Sequence, residues 1–243
     1  MTTRLFVSAP ISNGAELVIG GEQAHYLGRV LRAAVGDTVQ VFNGDCGEWQ
    51  ATITAMSKNS VTVLAAARLN ADTESPLRSH LVQGISRGER MDFVVQKATE
   101  LGIKRITPVF TNHGVVRLDD KRAGKRREHW QRIAISATEQ CGRLRPPLID
   151  PPVSLNHWFG AGHAVDSTQL ILLPGAATAL SALDTIAEKV CLLIGPEGGF
   201  SEREIEDAGV AGFRAVSLGP RILRTETAAL AALAVLQLRF GDL

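Results

Sequence analysis

The chain has 243 residues, enough for one large domain or two modest ones with proper cores. Its 45% hydrophobic and 21% charged residues are typical of a folded globular protein, not a disordered one. The first ten residues lack the pattern of a signal peptide, and the longest apolar run, 228–236, is too short for a membrane span of about 20 residues. Three scattered cysteines predict neither disulfides nor a zinc site and favour a reducing cytoplasm.

Charge is unevenly distributed, although the formal net charge is only +1. Residues 78–145 contain fifteen basic and seven acidic side chains, whereas residues 146–243 contain six basic and eleven acidic ones. A cationic segment of this kind indicates a face that binds a polyanion. Ordinary solvated helix faces are the alternative explanation.

Residues 1–70 have the pattern of a small β domain. Turn residues separate strand-like runs at 35–42, 48–56 and 60–66. A helical stretch at 22–31 interrupts the pattern. Helical spacing would place three of its cations on one face, namely His25, Arg29 and Arg32.

Strands and helices alternate from residue 78 to the end of the chain, which predicts a mostly parallel sheet covered by helices on both faces. The polar segment 71–77 before it is predicted to be a linker. Apolar spacing indicates one helix at 91–101 and another around Trp130, and a capping-box pattern at Ser201 predicts the start of a third. The predicted strands are 81–85, 105–110, 170–173, 190–194 and 213–218.

A glycine-rich turn follows the predicted strand 190–194. Gly195, Gly198 and Gly199 would permit positive φ angles and a close backbone approach to a ligand. Open parallel sheets bind ligands at the carboxyl ends of their strands, where this turn lies. The turn fits neither a dinucleotide motif nor a P-loop, and Glu197 would repel a phosphate. A tight turn without a ligand is the alternative.

A second loop precedes an almost purely Ala/Leu helix. Arg221 and Arg224 lie in this loop, Thr225 is a candidate N-cap, and Glu226 lies in the first helical turn. Because the helix is apolar on every side, it is expected to be buried. The two arginines could instead pair with acidic residues of the same domain.

Long segments of the chain resemble one protein family. In chain order they are HYLGRVLRAAVGDTVQVFNG, SRGERMDFVVQKATELGIKRITPVF, HWQRIAISATEQCGR, LLIGPEGGFSEREIE, LGPRILRTETAALAAL and LQLRFGD. They resemble the RsmE family of 16S ribosomal RNA uridine-N3 methyltransferases, which belongs to the SPOUT class. The resemblance covers nearly the whole chain and is weakest around residues 146–168.

The resemblance implies a small N-terminal PUA-like RNA-binding β-barrel over residues 1–70 and a SPOUT methyltransferase domain over residues 78–243. The second domain would be an α/β fold whose parallel sheet ends in a C-terminal trefoil knot. Local patterns alone predict an unknotted sheet, since chains generally avoid knots. The family also implies a homodimer in which the second chain helps to complete the active site.

The same resemblance implies S-adenosylmethionine as the cofactor, no metal, and methylation of the uridine conventionally numbered 1498 in the small ribosomal subunit. The cofactor would be held by three strand-end segments. Its implied ligands are Leu172, Leu173, Pro174, Gly195, Pro196, Glu197, Gly198, Gly199, Leu218, Gly219, Ile222, Leu223, Arg224 and Thr225.

Uridine N3 carries a proton and is a poor nucleophile until that proton leaves. Its loss places negative charge on O2 and O4, which a guanidinium would stabilise. Arg221 and Arg224 are the candidates because they flank the cofactor loop. Glu139 and Glu226 are candidate proton acceptors, although each could equally be a structural carboxylate.

Basic residues are assigned to RNA binding on the strength of the resemblance. One group of cations lies on the predicted helix around Trp130, which also carries Arg132. The second group is the patch of His25, Arg29 and Arg32. The assigned residues are His25, Arg29, Arg32, Arg87, Arg90, Lys121, Arg122, Lys125, Arg126, Arg127 and Arg143.

Two alternatives to RNA methylation belong to other functional classes of protein. In the first, the turn at 195–199 is the phosphate loop of a nucleotide-binding phosphotransferase, but no lysine follows its glycines. In the second, the β domain of a noncatalytic protein binds the ribosome, which leaves the turn 195–199 and the loop 221–225 without a purpose.

Overall fold

The computed structural model describes residues 2–45, 47–70, 73–116, 119–162 and 167–243. The chain divides into two compact units, which we call the N-terminal unit and the C-terminal unit. The N-terminal unit comprises Met1–Glu74 and Thr138–Pro146, and the C-terminal unit comprises Ser75–Ala137 and Pro147–Leu243.

This division differs from the predicted domain boundaries in two ways. Residues 138–146 were expected in the C-terminal domain but group with the N-terminal unit. Ser75 and Leu77 of the predicted linker 71–77 are buried and group with the C-terminal unit. Residues 71 and 72 of that linker lie outside the described residues.

The N-terminal unit contains a five-stranded mixed sheet in the order β1-β3-β4-β5-β2. Strand β1 runs parallel to β3, and the remaining pairs are antiparallel. Register shifts between β4 and β5 mark bulges, which increase the local twist of the sheet. The strands are β1 Arg4–Phe6, β2 Glu16–Gly20, β3 Thr38–Phe42, β4 Glu48–Met56 and β5 Ser60–Leu69.

The helical stretch of this unit is not one regular α-helix. Helix α1, Gly21–His25, continues as a π-helical turn, Tyr26–Val30, and Arg32 then has a φ of 52°. The wider turn breaks the 3.6-residue spacing, so the prediction of one α-helical face for the three cations was wrong. His25, Arg29 and Arg32 are nevertheless all exposed.

The C-terminal unit contains a seven-stranded parallel sheet in the order β12-β10-β11-β6-β7-β8, with β9 also pairing with β7. Five of its strands correspond to predicted ones; the two-residue strands β8 and β9 do not. The strands are β6 Arg78–Gly84, β7 Arg105–Phe110, β8 Leu148–Ile149, β9 Val153–Ser154, β10 Thr168–Leu172, β11 Lys189–Ile194 and β12 Arg214–Val216.

Helices cover both faces of this sheet, as predicted. Leu81 and Leu192 pack in a core with α2, α3 and α6, whereas their neighbours Val82 and Leu193 pack in a second core with α4 and α5. The helices are α2 Arg90–Glu100, α3 Asp120–Cys141, α4 Leu155–Gly160, α5 Glu202–Val210 and α6 Thr225–Phe240, and a 3₁₀ turn spans Leu180–Ala182.

Helix α6 is buried on one face only, which corrects the expectation of burial on every side. Ala229, Ala232, Leu233 and Leu236 are inaccessible, but Leu238 is 69% exposed. No helix in the described ranges has the length and apolar character needed to cross a membrane.

Candidate functional site

The sheet order reverses between β6 and β11. From β6 the chain proceeds to β7 and β8 on one side, and it later crosses to the other side, where β11 lies next to β6 and is followed outward by β10 and β12. Such a switch point leaves a crevice at the carboxyl ends of the strands, where open α/β sheets bind ligands. The glycine-rich turn follows β11 directly and therefore lies at this crevice.

The turn and the following helix are fixed by local hydrogen bonds. The N–H of Gly199 donates to the carbonyl of Pro196 at 2.9 Å, and Gly199 has a φ of +70°. Ser201 and Glu204 form the predicted capping box at the start of α5, with the Ser201 N–H donating to Glu204 Oε2 at 2.8 Å. The sequence prediction of a strand, a turn and a capped helix is confirmed here.

Only one of the three predicted glycines uses a positive φ. At Gly195 and Gly198 close packing is the constraint instead: a Cβ on Gly198 would lie 2.9 Å from both Cβ and O of His113. On the other side of the turn, a Cβ on Gly84 would lie 2.5 Å from Pro196. The turn is therefore held tightly between the end of β6 and the loop after β7.

The loop after β12 is joined to this turn by Thr225. Its Oγ1 donates to the carbonyl of Gly195 at 2.6 Å and accepts from Nε2 of Gln83 at 2.9 Å. Thr225 is the first residue of α6, and the N-cap position belongs to Arg224, so the N-cap prediction for Thr225 was wrong. The hydroxyl instead connects α6 with the ends of β6 and β11.

These segments enclose a cavity of about 720 Å³, which we call the strand-end cavity. It collects every predicted cofactor ligand except Gly198, which packs against His113 instead. Its apolar side chains suit a flat ring, and its turns expose backbone donors and acceptors. Four lining residues were not predicted for any site, namely Ile194, Phe200, Ile205 and Ala228, and Arg90 was predicted to bind RNA rather than the cofactor.

A second cavity of about 940 Å³, the α2 cavity, shares three lining residues with the first one: Arg90, Glu197 and Arg224. The two cavities therefore adjoin. Neither Phe93 nor Val115 was predicted for any site. The remaining residues of the α2 cavity are Arg87, Gly88, Glu89, Phe93, Val115, Glu226 and Thr227.

Arg90 links two carboxylates between the cavities. Its Nη1 donates to Glu197 Oε1, and its Nε lies 3.9 Å from Glu226 Oε1. Burial pushes the pKa of Glu197 up, but hydrogen bonds from its own backbone, from the Arg87 N–H and from Arg90 outweigh burial and hold that pKa below its usual value. The other oxygen of Glu226, Oε2, is buried and has no hydrogen-bond partner in the described chain.

The two candidate catalytic arginines differ in position. Arg224 lines both cavities, whereas Arg221 lines only the strand-end cavity. Both are exposed, and neither forms an ion pair within the part of the chain that the structure describes. The alternative reading, in which acids of the same domain neutralise them, therefore has no support.

Glu139 is not brought to either cavity. It belongs to the N-terminal unit, where its Oε1 accepts from the Phe6 N–H at 2.9 Å and from Gln23 Nε2 at 2.7 Å. Burial raises its pKa, and the two hydrogen bonds together with the nearby Arg4 oppose that rise. These contacts are those of a structural carboxylate.

The residues assigned to RNA differ in their surroundings. Most are exposed, including Lys121, Lys125 and Arg126 on α3. Arg87 and Arg90 line the α2 cavity. Two of the exposed cations also bond within the chain: Arg122 pairs with Asp119 at 3.5 Å, and Arg127 Nε donates to the Ile149 carbonyl at 2.9 Å.

Arg143, which was also predicted to bind RNA, is buried. It is 3% exposed, and its Nη2 donates to Glu74 Oε2 at 2.8 Å within the N-terminal unit. A charge count along the sequence cannot detect such a pair. Among the described residues, no group of three or more His, Cys, Asp and Glu side chains is placed to hold a metal ion.

Two family models match the chain. The family model described as an RNA methyltransferase domain matches residues 73–237, and the model described as an RNA methyltransferase PUA domain matches residues 19–65. The C-terminal unit is thus an RNA methyltransferase domain.

Similarity to individual proteins extends over nearly the full length. Ribosomal RNA small subunit methyltransferase E of Buchnera aphidicola (subsp. Schizaphis graminum) is 35% identical over 99% of this chain and 97% of its own. The protein of the same name from Bacillus subtilis is 32% identical over 90% of this chain and 88% of its own. The chain belongs to the ribosomal RNA small subunit methyltransferase E family.

Two solved structures are similar to the whole chain. A Legionella pneumophila methyltransferase in complex with the cofactor SAM is 41% identical, with a TM-score of 0.93 and complete coverage of both chains. Ribosomal RNA small subunit methyltransferase E of Neisseria gonorrhoeae, bound to S-adenosyl methionine, is 36% identical with a TM-score of 0.92, over 100% of this chain and 99% of that one.

Proposed function

We propose that the protein methylates N3 of a uridine in 16S ribosomal RNA of the small subunit, the uridine conventionally numbered 1498, with S-adenosylmethionine as methyl donor. The observation that carries the proposal is the pair of adjoining cavities, one for the donor and one for the acceptor base, with Arg224 in the lining of both. The names of the relatives and the cofactor in the two solved structures support it. Such a substrate implies a cytoplasmic location.

The strand-end cavity fits the cofactor. Leu218, Ile222 and Leu223 offer apolar surface for the adenine ring, and the turn 195–199 offers backbone groups for its polar edge. Glu197 and the absence of a lysine after the glycines make the cavity a poor site for phosphates, which disfavours the rival phosphotransferase. When bound, S-adenosylmethionine supplies an electrophilic methyl group.

The protein's own task is to position the uracil and to handle its charge. Arg224 is the better candidate for stabilising the anion, because it reaches the α2 cavity and no described carboxylate neutralises it. As N3 loses its proton, negative charge grows on O2 and O4. A guanidinium directed at either oxygen favours that anion.

Glu226 is the better candidate for accepting the proton from N3. Its Oε2 is buried at the α2 cavity and lacks a hydrogen-bond partner in the described residues. The N3 proton would pass to the Glu226 carboxylate and later leave to water. The N3 electron pair would form the new bond to the methyl carbon, whose bond to the donor's sulfur breaks with its electron pair staying on sulfur, so that the neutral thioether leaves. Glu139, whose oxygen is engaged within the N-terminal unit, is the weaker candidate.

RNA would be bound mainly through phosphates and shape. The exposed cations of α3 and the patch of His25, Arg29 and Arg32 support this role. The match of the PUA model to residues 19–65 supports a PUA-like barrel in the N-terminal unit. The target base would have to be unstacked to enter the α2 cavity. Unstacking raises the free energy by roughly a few kcal/mol.

Two further features are proposed by family resemblance. The chain would form a C₂ homodimer, which the exposed Leu238 on α6 supports. The C-terminal part would be knotted. Close contacts of the segment after β12 with two other loops support the knot: the Ser217 N–H donates to the Thr178 carbonyl at 2.9 Å, and Thr225 donates to Gly195.

The function is tested by mass spectrometry of 16S ribosomal RNA from cells with and without the gene. Loss of one N3-methyluridine, restored by the gene, is the expected result, and unchanged RNA would contradict it. Calorimetric titration separates the rivals. Binding of S-adenosylmethionine but not ATP is expected, binding of ATP would favour a phosphotransferase, and binding of neither would favour a noncatalytic ribosome-binding protein.

A further inference from the structure

Phe93 is an exposed aromatic residue on helix α2, whose other apolar side chains are buried in the core. On α2, Met91, Val94, Val95 and Ala98 are buried, whereas Phe93 lies outside that stripe and is 46% exposed. Among the described Phe, Trp and Tyr side chains of the C-terminal unit, Phe93 alone is exposed. Packing of α2 therefore does not explain why a phenylalanine occupies this position.

Phe93 lines the α2 cavity together with Val115, which is 51% exposed. The other large side chains of that cavity are charged, with arginines and glutamates on its remaining walls. Removing apolar surface from water is favourable, so a ligand that packs on the exposed Phe93 ring would gain binding free energy there. A ligand with a flat face and a polar edge would cover the ring and satisfy the charged walls together.

We propose that Phe93 is the stacking platform for the acceptor uracil, an inference that rests on the proposed function. The face of the pyrimidine would lie on the Phe93 ring, and its N3 edge would point toward Glu226 and Arg224. Aromatic side chains commonly hold unstacked bases in this way, because every base has a π-face. Stacking would fix the plane of the base and leave recognition of its edge to the charged residues.

The test compares Phe93→Leu, which keeps apolar bulk but removes the ring, with Phe93→Tyr, which keeps the ring. Each variant is assayed for methylation of small ribosomal subunits from cells that lack the gene, over a range of subunit concentrations at saturating S-adenosylmethionine. We expect Phe93→Leu to lower kcat/KM roughly 5- to 150-fold. Phe93→Tyr should stay close to the wild type.

Two controls separate stacking from other roles. Val210→Ala changes an exposed apolar residue of α5 that lines neither cavity, and it should leave kcat/KM unchanged. Calorimetry should give both Phe93 variants the wild-type affinity for S-adenosylmethionine, because Phe93 does not line the strand-end cavity. Sedimentation should give them the wild-type oligomeric state.

The outcomes are distinct. Normal kcat/KM in Phe93→Leu, equal losses in the leucine and tyrosine variants, or a change of oligomeric state in Phe93→Leu would each overturn the stacking role. Absence of methylation by the wild-type protein, despite S-adenosylmethionine binding, would instead count against the proposed function. A loss confined to Phe93→Leu, with cofactor affinity and assembly unchanged, supports the inference.

Discussion

The hydroxyl of Thr225 donates a 2.6 Å hydrogen bond to the carbonyl of Gly195, and so joins the start of α6 to the turn after β11. The Thr225→Val substitution keeps the shape of the side chain but removes the hydroxyl that bonds to the Gly195 carbonyl and to the Gln83 amide. We expect a loss of about 1–3 kcal/mol in the free energy of unfolding and weaker S-adenosylmethionine binding. Urea denaturation and calorimetry measure the two effects. Thr225→Ser should retain most of both, and equal losses in the two variants would contradict this role.

Gly198 and Gly199 should respond differently to alanine. At Gly198 the new Cβ would lie 2.9 Å from His113, so we expect displacement of the turn, a clear loss of S-adenosylmethionine affinity and a retained fold. At Gly199 the Cβ would meet nothing within 4 Å, and strain from the φ of +70° should destabilise by about 1–2 kcal/mol. Calorimetry and thermal unfolding of both variants check this, and unchanged cofactor affinity in Gly198→Ala would contradict it.

Local sequence predicted the strand, turn and helix around Gly195, because apolar spacing, glycines and a capping box are encoded within one short segment. The α2 cavity could not be predicted in this way, since its lining is drawn from distant parts of the chain, namely residues 87–90, 93, 115, 197, 224, 226 and 227. The one local signal was Phe93, an aromatic residue outside the buried stripe of α2. Similarly, charge along the chain could not reveal that Arg143 pairs with Glu74, 69 residues away.

The basic part of α3 should contribute to RNA affinity through phosphates. Lys125 and Arg126 are exposed, whereas Arg127 bonds to the Ile149 carbonyl and is therefore left intact. In the double variant Lys125→Ala/Arg126→Ala, RNA binding should weaken, and the log–log salt slope should flatten by up to about 0.9 per lost contact. Arg203→Ala, which removes an exposed arginine on α5, is the control. A slope equal to that of the wild type would mean that these cations are only solvated.

Assembly should depend on the exposed side of α6. We expect a C₂ homodimer by sedimentation at micromolar concentration. If the dimer buries Leu238, the Leu238→Glu substitution removes one buried apolar side chain from each protomer. The loss amounts to about 3 kcal/mol of dimer stability, or a rise of roughly a hundredfold in the dimer Kd. Val210→Glu, a change at a more exposed position on α5, is the control. A monomeric wild type would exclude a shared active site.

Arg224 and Arg221 give the sharpest test of the chemistry, because both line the strand-end cavity but only Arg224 also lines the α2 cavity. Arg224→Met keeps the length and the apolar stem and removes the charge from both cavities. Loss of one preorganised donor typically costs about 2.7–4 kcal/mol, so single-turnover methylation should fall roughly 10²–10³-fold. S-adenosylmethionine affinity should change much less, because the charge acts on the uridine anion. Lysine should rescue the rate only partly, since it lacks the planar guanidinium.

Arg221→Met is the matched comparison, because Arg221 lines only the strand-end cavity. It should affect the rate at saturating S-adenosylmethionine less than Arg224→Met does, and any effect should be mainly on cofactor affinity. Single-turnover methylation and a cofactor titration on both variants decide the matter. Near-normal rates in both would mean that no arginine of this loop stabilises the anion. Parallel losses of cofactor binding and rate in both would mean that these side chains hold the strand-end cavity together, and the anion would then need another donor.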